Sequence, residues 1–170
     1  MKIFKRVLLA LLVVLIVIQF VQPAKNISKA RSPHDIAFLY HEPSNVRSIL
    51  DKACNDCHSN NTRYPWYNNI QPVAWWLNDH VEEGKRELNF NEFGAYRLSK
   101  QYHKLEEVVD KVKKSEMPLS SYTIIHTDAK LTDVEIASLT EWANSIMAQM
   151  KTKYPADSLV RKKQPGQDAR

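Results

Sequence analysis

Glycine is nearly missing from this chain, with three residues in 170 against roughly 7% in average usage. Few glycine turns are available, which disfavours a hairpin-rich all-β fold. No phosphate-cradling loop of the form G-x-G-x-x-G or G-x-x-x-x-G-K-[ST] occurs. A basic body is missing as well. The net charge of +5 is carried by the tails: residues 1–24 hold +3, residues 151–170 hold +4, and residues 25–150 hold −2. A nucleic-acid footprint needs a basic face on the folded body, so no nucleic-acid partner is expected. Internal repeats and period-2 alternation are also absent. The charged fraction of 25% and apolar fraction of 44% are ordinary for a globular protein. They exclude disorder throughout, collagen and a multi-pass membrane protein. The length suggests one compact domain with appendages.

The one long apolar run is N-terminal. Lys2, Lys5 and Arg6 precede twelve unbroken apolar residues, Val7 to Ile18, and Phe20 and Val21 extend the run past Gln19. A charged region followed by an apolar one marks an export segment. A cleavage site wants small residues at −3 and −1, and the Gln22-Pro23-Ala24 stretch offers only Ala24. Residues 3–21 make about 28 Å of helix, near the ~30 Å of a hydrocarbon core. Lys5 and Arg6 would then snorkel to the cytoplasmic side. An uncleaved anchor in a bacterial inner membrane is favoured over a removed signal peptide. Either reading sends residues 25–170 to the periplasm, tethered or soluble.

Residues 1–24 thus read as anchor or signal helix, 25–35 as linker, 36–150 as the folded domain and 151–170 as a charged flexible tail. Four helices are expected in the domain. The first is Asn45–Ala53, capped by Ser44, with Val46, Ile49, Leu50 and Ala53 on one face. The second is Pro72–Gly84, with Val73, Trp76, Leu77, His80, Val81 and Gly84 as its stripe. The third is Ser99–Ser115. The fourth starts at a capping box, Thr132-Asp133-Val134-Glu135, and runs to Met150. The fold class is all-α.

The only two cysteines stand in Cys54-Asn55-Asp56-Cys57-His58. C-x-x-C-H is the attachment signature of c-type haem. Two thiols three residues apart on a helical turn reach the two vinyl groups on one porphyrin edge. The next residue then lies under the ring centre, where its imidazole binds iron. A structural zinc site needs four ligands. No other cysteine exists, and no two histidines stand at i, i+3 or i, i+4. A thioredoxin-like motif needs a preceding strand, and a helix precedes this one. A Cys54–Cys57 disulfide leaves His58 unexplained. The motif therefore implies one covalent haem c, with Cys54 and Cys57 as thioethers and His58 as proximal axial ligand.

The opposite axial position has several candidates. Met117 leads in Ser115-Glu116-Met117-Pro118, where the proline fixes the following chain. Met147 and Met150 lie on the last helix. His80 and His126 are candidate pocket residues or ligands. His103, beside Glu106 and Glu107, reads as a solvated ion-pair face. Tyr64, Trp66, Tyr67, Trp75 and Trp76 cluster after the motif. Their rings suit a large apolar haem face, and an indole N–H can reach a propionate. Trp66 and Trp76 are the pocket candidates. At least one of Trp75 and Trp76 faces away from the stripe.

The stretches Asn60–Tyr67, Ile70–Leu77, His80–Lys85, Leu88-Asn89-Phe90, Glu116-Met117-Pro118, Tyr122, His126 and Ala129-Lys130-Leu131 together resemble a bacterial family of exported haem-binding domains. The resemblance covers roughly residues 35–145. It implies a small cytochrome-c-like helical domain around one covalent haem at Cys54, Cys57 and His58. Met117-Pro118 is similar to the distal-methionine segment of small c-type cytochromes. The short helix before the motif and the Trp-rich insert between His58 and Met117 depart from those cytochromes, so Met117, His80 and His126 all stay open as distal residues. The implied function is single-electron transfer to redox partner proteins near the membrane, without a catalytic acid or base. A haem-based ligand or redox sensor and a peroxidase-like haem enzyme are the alternatives. Di-haem peroxidases need a second C-x-x-C-H, and only one is present.

Overall fold

The computed structural model describes residues 2–160. The described residues divide into two compact units, 2–29 with 56–89, and 30–55 with 90–160. Among the described residues there is no strand, only an isolated antiparallel bridge between Ile27 and Asn61. The all-α expectation holds.

The first unit begins with α1, Lys2–Ile18, none of whose residues is buried. After Ile18 the amides of Gln19, Phe20 and Val21 bond three residues back, at 3.1–3.2 Å. The apolar run therefore ends in a tightened turn short of Val21. The Gln19 side chain closes it by donating to the Leu15 carbonyl at 2.8 Å. Among the described residues no helix is long and apolar enough to cross a membrane.

Residues 19–28 then follow a second helix, Val73–Glu87 (called α5 below), end to end. Near its start, Gln71 Nε2 and Trp75 Nε1 both donate to the Val21 carbonyl, at 2.7 and 3.1 Å. Near its end, Lys85 Nζ donates to Asn26 Oδ1 at 2.7 Å. Among the described residues of this unit three apolar side chains are buried, Ala74, Val81 and Leu88. Asp56, Ser59, Asn68, Gln71 and Asn89 are buried beside them. A polar network, more than an apolar core, holds the unit together.

The second unit has the larger core. Its helices are α2 (Ile36–Leu39), α3 (Ser44–Ala53), α6 (Leu98–Lys113), α7 (Ser120–Thr123), α8 (Asp133–Lys153) and α9 (Ala156–Leu159). The four residues Asn55–His58 form α4, which runs across the boundary of the units. Helix α8 packs on α3 and α6, and α9 packs on α6 and α8. Val46, Ile49 and Leu50 of α3, Leu105 and Val112 of α6, and Leu139, Trp142, Ala143, Ile146, Met147 and Met150 of α8 interleave there. Trp142 satisfies its indole N–H on the His41 carbonyl at 3.0 Å.

The expected helices are present with shifted ends. Pro43, not Ser44, is the N-cap of α3, because proline's fixed φ already provides the extended entry and puts Ser44 in the first turn. Helix α5 continues three residues past Gly84. The capping box of α8 forms as read: Glu135 N–H donates to Thr132 Oγ1, and Thr132 N–H donates to the Glu135 carboxylate. Of the tail, Lys151–Lys153 complete α8, and Leu159 of α9 is buried. Residues 161–170, read as flexible, lie outside the described residues.

Candidate cofactor site

Helix α3 delivers the motif. Cys54 is its C-cap, with its N–H on the Leu50 carbonyl at 2.9 Å. Cys57 and His58 follow one turn later on α4. Neither cysteine is in a disulfide, and both are partly exposed. Burial first, and the Asp56 carboxylate second, push the Cys57 thiol up to about 11. Cys57 is therefore a neutral thiol at neutral pH.

His58 is held by one ring nitrogen. Its Nδ1 faces the carbonyl oxygens of Gly84 at 3.0 Å and Leu88 at 2.9 Å. Carbonyls only accept, so Nδ1 carries the proton and the lone pair sits on Nε2. Metal-ligating histidines are oriented in this way, with the second nitrogen donating to a carbonyl or carboxylate. The two carbonyls lie at the C-terminal end of α5, the negative pole of its dipole, which favours the N–H there.

Gly84 makes this approach possible. A Cβ at position 84 would stand 2.8 Å from the Cys57 carbonyl oxygen and 2.9 Å from Cys57 Cβ. Only glycine lets α5 come this close to α4. The loop after the motif is fixed equally firmly. Arg63 donates from its backbone N–H at 3.0 Å and from Nε at 3.1 Å to Asp56 Oδ1, and Thr62 Oγ1 donates to the Asp56 carbonyl at 2.6 Å. Gly84, Leu88, Asp56 and Arg63 are the site residues that sequence reasoning missed. A glycine inside a helix, where it costs about 1 kcal/mol, was the one available signal.

The other candidates fall in distinct places. Met117 is half-buried and follows a Schellman turn closing α6: Ser115 N–H bonds the Val112 carbonyl, and Glu116 N–H bonds that of Lys111. Met147 and Met150 are buried in the second unit's core. His103 pairs with Glu107 at 3.1 Å and with Glu106 at 3.6 Å, as read. His126 stacks on Tyr122, with ring centroids 4.3 Å apart.

The stripe of α5 needs correcting. Its buried residues are Ala74 and Val81, not Trp76 and His80. The His80 ring packs on Trp76 one turn earlier at 4.3 Å, with Nδ1 against the Trp76 carbonyl at 2.8 Å. This i, i+4 stack gives His80 Nδ1 a backbone partner on the half-open side of the helix. Trp66 is exposed, edge-on to Tyr67. Trp75 and Trp76 both face outward.

A family model for a haem-binding domain matches residues 13–145. The chain belongs to the haem-binding domain family. The match begins inside α1, further toward the N-terminus than the residues that carry the resemblance. No curated protein and no solved structure matches the sequence. The geometry fits the group that names the family. Two accessible thiols stand one turn apart. The following imidazole carries its proton on the side turned to the protein, and the first unit has few buried apolar side chains but several outward aromatic ones. Among the described residues no group of three or more His, Cys, Asp or Glu converges as an alternative metal site.

Proposed function

We propose that this haem-binding domain is a monohaem c-type cytochrome that passes single electrons and is not itself an enzyme. The observation that carries the reading is the double carbonyl clamp on His58 Nδ1 directly after two accessible thiols. Bound haem supplies one-electron iron chemistry. The chain's own part is attachment, orientation and tuning. Cys54 and Cys57 would hold the haem as thioethers, an S–H addition across each vinyl group that needs no oxidant. His58 would hold the iron through Nε2, and donation from Nδ1 to the Gly84 and Leu88 carbonyls makes that nitrogen a stronger base. Met117 would supply a thioether to the iron, which would raise the reduction potential relative to a second imidazole. Trp76, His80 and His126 are assigned to the haem surroundings. The partners are redox proteins near the membrane, outside the cytoplasm, where the apolar N-terminal segment directs the domain.

The test is an absorption spectrum, oxidised and reduced, with and without carbon monoxide, on protein expressed with a cytochrome maturation system. Haem that survives denaturation and binds no carbon monoxide supports His/Met ligation and electron transfer. Covalent haem that binds carbon monoxide shifts the reading to a ligand sensor or a peroxidase-like enzyme. Absence of covalent haem overturns the proposal. Met117→Ala is expected to leave haem attached but open the iron to carbon monoxide. An unchanged spectrum in that variant removes Met117 from the iron.

A further inference from the structure

The export segment leaves one question: whether residues 1–24 persist in the mature protein, and against what surface. The hydrogen bonds of residues 19–26 bear on both. Gln71 is 1% exposed. Its backbone N–H donates to Gln19 Oε1 at 2.9 Å and its Nε2 to the Val21 carbonyl at 2.7 Å. The indole N–H of Trp75 shares that carbonyl at 3.1 Å. Gln22 Nε2 reaches the Asn69 carbonyl at 3.3 Å. Removing residues 1–24 would strip Gln71 and Trp75 of these partners. A buried amide left without a partner costs about 1–3 kcal/mol. The end of the apolar helix is thus built into the fold of the first unit.

The same joint gathers apolar side chains at the end of α1. Phe20 is 85% exposed, Trp66 76%, Ile70 44% and Trp75 37%. All four belong to the first unit, next to a 17-residue helix none of whose side chains is buried. Trp75 touches Val21 directly, and Asn69 links Gln22 to Trp66 by donating to the Trp66 carbonyl at 3.0 Å. Aromatic rings with a polar edge, at the foot of an apolar helix, are the composition of a lipid–water interface. At 1.5 Å per residue, α1 spans about 25 Å, a few ångströms less than a ~30 Å hydrocarbon core. The side chains at its foot extend the apolar surface on that side.

We propose that the mature protein retains residues 1–24, and that Phe20, Trp66, Ile70 and Trp75 lie in the interface of a bilayer into which α1 inserts. This rests on the membrane location proposed above and is independent of haem ligation.

The test uses the full haem-loaded chain, purified from membranes and reconstituted in phosphatidylcholine vesicles. The vesicles include phosphatidylcholine with a diazirine close to the acyl carbonyl. Irradiation and peptide mass spectrometry then map lipid adducts. Ile124, Ile125 and Val134 of the second unit are 75%, 59% and 75% exposed and serve as the internal control. The expected result is an intact mass that includes the N-terminal helix, with adducts on Phe20, Trp66–Ile70 and Trp75 at least about tenfold above the control. A mature chain beginning at or after Lys25, adducts confined to α1, or equal labelling of the control residues would each overturn the proposal. None of these readouts depends on the state of the iron.

Discussion

Gly84 shows how one missing side chain sets the geometry of the proposed iron ligand. Replacing a helical glycine with alanine ordinarily stabilises by roughly 0.5–1 kcal/mol. At position 84 the added carbon meets the Cys57 carbonyl oxygen at 2.8 Å. That neighbour is backbone, so α5 has to back away. Overpacking of this kind costs about 1–3 kcal/mol and outweighs the propensity gain. Gly84→Ala is therefore expected to lower the urea midpoint. In the haem-loaded protein it should also raise the reduction potential, because a weakened Nδ1–H donation leaves a poorer imidazole donor. A higher midpoint with unchanged potential would mean that the close approach is not what holds His58. At this scale the sequence was partly legible. The two thiols and the imidazole were readable because their spacing is local. The acceptors of His58 lie 26 and 30 residues away, and no local pattern connects them.

Helix ends follow capping chemistry, and two of them yield predictions. The Schellman turn that closes α6 puts Ser115 at φ 55°, a left-handed position usually taken by glycine. The left-handed penalty for a side chain, about 1–2 kcal/mol, exceeds the roughly 0.4–1 kcal/mol that a freer unfolded chain costs. Ser115→Gly is thus expected to stabilise by about 0.5–1 kcal/mol and Ser115→Val to destabilise, both read from thermal midpoints. On α8, Glu135 closes the capping box and pairs with Lys52 at 2.7 Å. Its carboxyl is held below the ordinary value by the Lys52 hydrogen bond first and the Thr132 backbone N–H second. A lowered acid stabilises the fold above its unfolded value, and that contribution disappears as pH falls through the folded one. Glutamine can still make the capping-box bond, so Glu135→Gln isolates the charge. The variant should lose about 0.5 kcal/mol at neutral pH, and the loss should shrink as pH falls below the ordinary carboxyl range and through the lowered folded value. A loss that does not change with pH would assign the effect to the cap alone. The elements themselves were largely legible because α3, α6 and α8 each carry an apolar stripe over one core. Helix α5 was misread in register. Its tryptophans suggested a buried face, but Ala74 and Val81 form it, and small residues give a weak periodic signal.

At the scale of the molecule, the two units are stabilised by different means. Sixteen of the nineteen buried apolar residues belong to residues 30–55 and 90–160. The other unit depends on hydrogen bonds that cross from residues 19–28 to residues 59–85, as with Asn26, whose Nδ2 donates to the Ser59 carbonyl and to Thr62 Oγ1, both at 2.9 Å. No sequence pattern announces such pairs, so a segment read as the end of an export signal and a linker carries structure instead. Deleting residues 1–24 should expose this dependence. Gln71 loses its acceptor, and the penalty of about 1–3 kcal/mol corresponds to roughly 5- to 150-fold faster amide exchange in α5. Exchange in α8 of the same sample is the reference. The dependence can be checked with a second change, Gln71→Leu. In the full chain it removes three side-chain hydrogen bonds, two donated by Nε2 and one accepted from the Trp75 N–H, and should accelerate exchange in α5. In the truncated chain only the bond accepted from the Trp75 backbone N–H remains to be lost, and an Nε2 without its acceptors goes with it, so the acceleration should be smaller. A smaller acceleration in the truncated chain than in the full chain would tie the first unit's stability to the segment that follows α1. Equal effects in both would show that Gln71 is satisfied without it.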